Sequence, residues 1–151
     1  MGRVMLKFMN LCHAPLTNWG LKLVKIQDGW TMLDIGCGGG ATLQRLLKRS
    51  KDAQVYGIDI SEESVTKAMK VNADVLDEQV FVTQGSAEKL PYEDGKFDLV
   101  TAVETVGHDG LFARGTKETA RRCRFHPDGN PPQETFVCYD YRSEIIIIAS
   151  L

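Results

Sequence analysis

A chain of 151 residues with 43% hydrophobic content is long enough for one domain with its own core. Its 18 basic and 20 acidic residues leave a net charge of −2, which supplies no global reason to expect a nucleic acid or an anionic membrane as partner. Cys12, Cys37, Cys123 and Cys138 are widely spaced and suggest neither a disulfide framework nor a zinc site, since Cys123-x-x-His126 lacks a second ligand pair. At the N-terminus, Met1 to Leu6 is broken by Lys7, so no signal pattern or membrane span is expected and a cytoplasmic location follows by default. Pro15 then divides the region before the first strand into two helical pieces. Leu16, Trp19, Leu23 and Val24 have helical spacing and are expected to form a face packed on the sheet.

The most informative segment is Met32-Leu33-Asp34-Ile35-Gly36-Cys37-Gly38-Gly39-Gly40-Ala41. Leu33 and Ile35 suit a buried parallel strand, the glycines allow a tight turn with close backbone approach, and Thr42 to Arg49 reads as the following helix. Strand, turn and helix in that order mark a nucleotide-type cofactor site. Gly36-x-Gly38-x-x-Ala41 satisfies the dinucleotide fingerprint, and Asp59 follows at the distance where an acid holds ribose hydroxyls. Taken alone, that pattern points to NAD and an oxidoreductase.

Asp34-x-Gly36-x-Gly38-x-Gly40 also fits a second pattern, an acid followed by spaced glycines. By it the sequence resembles the class I S-adenosylmethionine-dependent methyltransferases, of the methyltransferase type 11-like kind. Asp34 separates the two readings. A carboxylate two residues before the first glycine repels a pyrophosphate, whereas it attracts a sulfonium cofactor with a cationic methionyl amine. S-adenosylmethionine is therefore the expected cofactor, with Asp34, Gly36, Cys37, Gly38 and Gly40 around it.

Further segments follow in the family's order. Gln54 to Ser61 is a second strand ending in an acid, and Ser61-Glu62-Glu63 supplies a helix N-cap with two carboxylates in the first turn. The resemblance implies that Asp59 accepts hydrogen bonds from the ribose hydroxyls and that Ile60 covers one adenine face. Val80-Phe81-Val82 reads as a third strand. Gly85 to Tyr92 then looks like the family's adenine-contacting loop, which brings in Ser86, Ala87 and Glu88; Ser86 stands where many relatives carry an acid. Glu93 to Lys96 forms a turn into Phe97 to Glu104, the fourth strand and the start of a loop that in this family faces the methionyl end. Glu104 is the candidate to orient the methionyl amine or to serve as a base, and no catalytic side chain is otherwise named.

The resemblance covers roughly Asn10 to Val106 and fades beyond it. It implies an N-terminal helical lid or cap over 1–30, a cofactor-binding core over 31–106, and a divergent segment over 107–151. Arg114, Lys117, Arg121, Arg122 and Arg124 read as a solvated helix face, because no aromatic residues interleave with them. After the linker-like stretch His126 to Gln133, Thr135 to Tyr141 and Glu144 to Ser150 are the last strand candidates. With no following helix to cover it, the run Ile145 to Ile148 is expected on an exposed edge or face.

The sequence thus predicts an α/β, Rossmann-like, doubly wound and mostly parallel sheet with helices on both faces, its C-terminal part incomplete or divergent. The expected function is methyl transfer to a small-molecule acceptor, with no nucleic-acid or membrane partner. Two other readings stand beside it: a truncated methyltransferase-like chain of weak activity or of interaction function only, and an NAD-binding oxidoreductase.

Overall fold

Alternating residues along the first strands are buried on opposite faces of one sheet, and they build two separate cores. The structure, a computed structural model, describes residues 17–22, 24–103, 134–140 and 143–149. Within them six strands form one sheet in the order β3-β2-β1-β4-β6-β5. These are β1 (Thr31–Ile35), β2 (Gln54–Asp59), β3 (Val80–Gln84), β4 (Leu99–Val103), β5 (Glu134–Asp140) and β6 (Ser143–Ala149). β1 to β4 pair in parallel, while β6 runs antiparallel to both β4 and β5. The mostly parallel sheet expected from the sequence is therefore present, with an antiparallel hairpin at one side.

Helices α1 (Ala41–Leu47) and α2 (Glu62–Val71) connect the parallel strands β1, β2 and β3. The Ser61 hydroxyl accepts the Ser64 backbone N–H at 3.3 Å, and Glu62 and Glu63 sit in the first turn, where the helix dipole favours negative charge. Leu43 and Leu46 of α1 and Val65 and Ala68 of α2 cover Met32, Val55, Val80, Val82 and Leu99 on one face. Each large aliphatic side chain buried this way contributes about 1.5–3 kcal/mol. Leu21, Val24 and Trp30 belong to the same cluster.

The other face, formed by Leu33, Ile35, Ile58, Val100 and Ala102, packs under Leu90 and Phe97 from the β3–β4 connection. Aromatic stacking pins that connection: Tyr56 lies 4.7 Å from Phe81 and 5.4 Å from Phe97, and the Lys96 ammonium sits 4.0 Å above the Tyr56 ring. Asp98 adds a polar tie, its Oδ2 accepting the Thr31 N–H at 2.9 Å.

Two expectations need correction. Residues 17–22 are helical, but the buried stripe is Thr17, Gly20, Leu21 and Val24, the i, i+3, i+4, i+7 set, and Trp19 on the opposite side is 51% exposed. Of the exposed edge or face expected for the isoleucine run, the edge is overturned: β6 pairs with β4 on one side and β5 on the other, so β5 takes the edge among the described strands, while the exposure of these side chains lies outside what is described. Two sets of main-chain partners hold Ile145 to Ile148 inside the sheet.

Leu16, Leu23, most of the proposed lid before Thr17, Glu104, the basic cluster from Arg114 to Arg124, and the Cys123 and His126 pair lie outside the described residues. Among the described residues, no helix is long and apolar enough to cross a membrane.

Candidate functional site at the carboxyl ends of the parallel strands

Strand order reverses at β1, with β2 and β3 on one side and β4 on the other. Connections diverge from such a point, and a crevice forms outside the strand ends. The glycine turn and both acids, Asp34 and Asp59, lie there.

The turn is tied across to β2 before it reaches α1. Gly36 and Cys37 both donate their N–H to the Ile58 carbonyl, at 2.7 and 3.1 Å. Gly38 donates to Asp59 Oδ2 at 2.9 Å, and Gly40 donates to the Cys37 carbonyl at 2.9 Å. A pyrophosphate-binding turn needs such amides aimed at the ligand. Here four of them are engaged inside the protein, which weighs against the dinucleotide reading.

The glycines differ in their surroundings. Gly38 has φ +51°, and a Cβ built there meets nothing within 4 Å. Gly40 has φ +81°, but its Cβ would lie 2.7 Å from Asn72 Nδ2 and 2.9 Å from the Ala68 backbone. Gly38 thus borders open space, while Gly40 lets α1 approach α2. The buried Asn72 side chain closes that junction, donating to the Ala68 carbonyl at 2.8 Å and to the Gly40 carbonyl at 3.4 Å. Cys37 turns its side chain into the helix-covered core, where burial pushes the thiol well above its usual range. Only its backbone remains to face a ligand.

Asp59 is half-buried and bridges two turns. Its Oδ2 takes the Gly38 N–H, and its Oδ1 takes the Ser61 N–H at 2.9 Å. Each carboxylate oxygen can accept a second hydrogen bond, so this fixed acid retains capacity for two hydroxyls. Ile60 beside it is 73% exposed, and Gln84 Nε2 donates to its carbonyl at 3.1 Å. The following loop starts on the same acid, with Gly85 N–H donating to the Asp59 carbonyl at 2.9 Å. Ser86 Oγ accepts the Glu88 N–H at 3.2 Å, so its hydroxyl shapes the turn and keeps its own proton to donate. Ala87 packs on the Leu90–Phe97 core, and Glu88 is exposed.

Asp34 contrasts with Asp59. It is 2% exposed and accepts the Thr101 hydroxyl at 2.6 Å. Burial pushes its carboxyl up to about 7; Thr101 opposes the rise, Asp59 adds to it, and Arg45 opposes it. A buried acid poised in this way gains by meeting a cation.

Asp34, Gly36, Gly38 and Asp59 therefore come together, and Ile60 and the Ser86 turn join them through the Asp59 and Gly85 backbone. Sequence reasoning missed Thr101, Gln84 and Asn72. Thr101 carried a signal as the one polar residue in Leu99-Val100-Thr101-Ala102-Val103, whereas Asn72 and Gln84 carried none.

A family model described as a methyltransferase domain matches residues 32–126. Norajmaline N-methyltransferase of Rauvolfia serpentina is 44% identical over 78 residues, covering 51% of this chain and 26% of the relative. The uncharacterized methyltransferase YdaC of Bacillus subtilis is 32% identical over 111 residues, covering 72% of this chain and 59% of the relative. The chain thus spans less than two thirds of the length of these curated relatives. A solved Methanococcus maripaludis structure, assigned to the S-adenosyl-L-methionine-dependent methyltransferases, matches with a TM-score of 0.74 at 18% identity. It covers 99% of this chain and 91% of that one, a likeness that shows the fold.

Proposed function

The chain belongs to the class I S-adenosylmethionine-dependent methyltransferases, and from that membership we propose that it catalyses methyl transfer to a small-molecule acceptor. The observation that carries the proposal is the joint placement of a buried acid, an open glycine and a bridging acid at the β1 and β2 ends: Asp34, Gly38 and Asp59. The cofactor of this family fits these residues. The space beside Gly38 would be filled by any side chain, and the buried Asp34 suits a cationic amine.

When bound, S-adenosylmethionine would supply an electrophilic methyl group on its sulfonium, open to in-line attack by an acceptor nucleophile with S-adenosylhomocysteine leaving as the neutral thioether. The residues of the chain position the reactants. Asp34 would hold the methionyl ammonium, Asp59 would take the ribose hydroxyls, and Ile60 would cover one adenine face. Gly36, Cys37 and Gly40 shape the turn, while Ser86, Ala87 and Glu88 form the loop that reads the adenine edge. Glu104, outside the described residues, would orient the amine or take a proton from the acceptor.

The near-neutral net charge of −2 supports a small molecule over a nucleic acid as acceptor. A cytoplasmic site of action belongs to the same reading, supported by the wide cysteine spacing. Calorimetry with S-adenosylhomocysteine, S-adenosylmethionine and NAD tests the proposal: the first two bind, and NAD binds more weakly than either. Tighter binding of NAD would overturn it.

A further inference from the structure

Thr101 lies opposite Asp34 in the β1–β4 register, on the face that also carries Met32 and Leu99, and is 1% exposed. Its hydroxyl lies 2.6 Å from Asp34 Oδ1 and 3.4 Å from the Leu33 carbonyl oxygen. A hydroxyl has one proton to donate and lone pairs with which to accept. These two neighbours therefore define two arrangements of one small network. With Asp34 ionised, the Thr101 proton points to Oδ1. With Asp34 neutral, the carboxyl O–H donates to Thr101 Oγ1, and the Thr101 proton turns to the Leu33 carbonyl. Either way no proton is left without an acceptor, so the site accommodates both charge states without an orphaned buried polar group.

We propose that Thr101 is a positioning residue for the methionyl ammonium of the cofactor, acting through Asp34 by orienting its carboxylate and stabilising the ionised form. The inference rests on the S-adenosylmethionine reading given above. It also explains why a hydroxyl interrupts the apolar run of β4: valine would fill the same volume but could not hold the acid. The other groups acting on Asp34 are Asp59 at the end of β2, Arg45 on α1 and the Cys37 thiol in the glycine turn. Asp59 opposes ionisation of Asp34 and Arg45 favours it, while the Cys37 thiol stays neutral throughout the working range. Thr101 is the one of these in direct hydrogen-bond contact with the carboxylate.

The test compares Thr101→Val and Thr101→Ser with the parent. Two quantities are read: S-adenosylhomocysteine affinity by calorimetry between pH 5.5 and 8.5, and the Asp34 carboxyl titration by carbon NMR without ligand. Thr101→Val is expected to lose about tenfold or more in affinity and to move the Asp34 midpoint upward by about one pH unit, the scale of a hydrogen bond to a charged group. Thr101→Ser restores both. In an Asp34→Asn background, Thr101→Val should have no further effect on affinity, a non-additivity that a purely structural role would not produce. Should Thr101→Val fail to fold, Thr101→Cys replaces it, and the same upward shift is expected because a thiol is a weak donor. An unmoved Asp34 midpoint in the hydroxyl-free variant overturns the assignment of Thr101. Absence of S-adenosylhomocysteine binding by the parent overturns the cofactor reading, while the ligand-free titration still decides the Thr101–Asp34 coupling.

Discussion

The carboxyl ends of β1 and β2 share one plan, strand then acid then turn then helix, yet the two acids differ in chemistry. Asp34 sits in the sheet opposite Gly57, is 2% exposed, and has its carboxyl pushed up to about 7 by that burial. Asp59, one residue past the last paired isoleucine of β2, reaches the strand ends and accepts two backbone amides. Two register positions separate a buried acid with a raised carboxyl from one that scaffolds a turn. The two turns differ likewise. A run of glycines follows β1, one of them closed against α2, whereas a single capping serine follows β2.

The largest expected effect breaks the β1 turn. Gly40→Ala combines a positive φ with a Cβ driven against Ala68, and should lower stability by about 2–5 kcal/mol from strain and overpacking. Gly38→Ala carries the backbone strain alone, about 1–2 kcal/mol, but should weaken S-adenosylhomocysteine binding. Urea denaturation of both variants is the check. Equal stability losses would mean that α2 does not close on Gly40.

Next comes the pH dependence of Asp34. Its folded carboxyl, at about 7, lies above the usual value of 3.8, so between these the folded state holds more protons than the unfolded state. The ligand-free protein should therefore lose stability as pH rises from about 4 through 7, by an amount on the order of 2–4 kcal/mol. Asp34→Asn should flatten that slope and be more stable than the parent at pH 8 while binding the cofactor poorly. Denaturant midpoints at pH 5 and pH 8 decide it, and parallel slopes for parent and variant would show that Asp34 is more solvated than its burial implies.

A smaller loss belongs to β2. Asp59→Ala should weaken S-adenosylhomocysteine binding by about 1.5–3 kcal/mol, the usual scale for hydrogen bonds to a charged group. Unchanged affinity in a folded variant would leave Asp59 with a role only in the turn. The smallest effect tests the cap: Ser61→Ala should lower stability by about 1 kcal/mol and leave affinity within roughly twofold. A large loss of binding there would mean that the α2 start contacts the ligand directly.

Much of this site was legible because its signals are local. The apolar run of Met32, Leu33 and Ile35, the glycine run after Ile35, and Ser61 before two glutamates each reflect strand burial or backbone sterics within a few residues. The spacing from Gly38 to Asp59 was readable because strand, turn and helix lengths are narrowly bounded; the structure joins the two at 2.9 Å. Trp19 was misjudged because the same helical spacing fits two stripes that share Val24, and only the burial of Thr17, Gly20 and Leu21 selects one. Thr101 was overlooked because its partner is 67 positions away in the chain.

What the sequence determined by itself, then, is the order of the elements, the glycine turn and the presence of acids at two strand ends, since these depend on residues adjacent in the chain. Tertiary structure alone decided which acid is buried, which glycine is open and which strand lies between β4 and β5. Burial, and with it the charge state of Asp34, depends on what packs over a residue from distant parts of the chain. No local pattern encodes that cover.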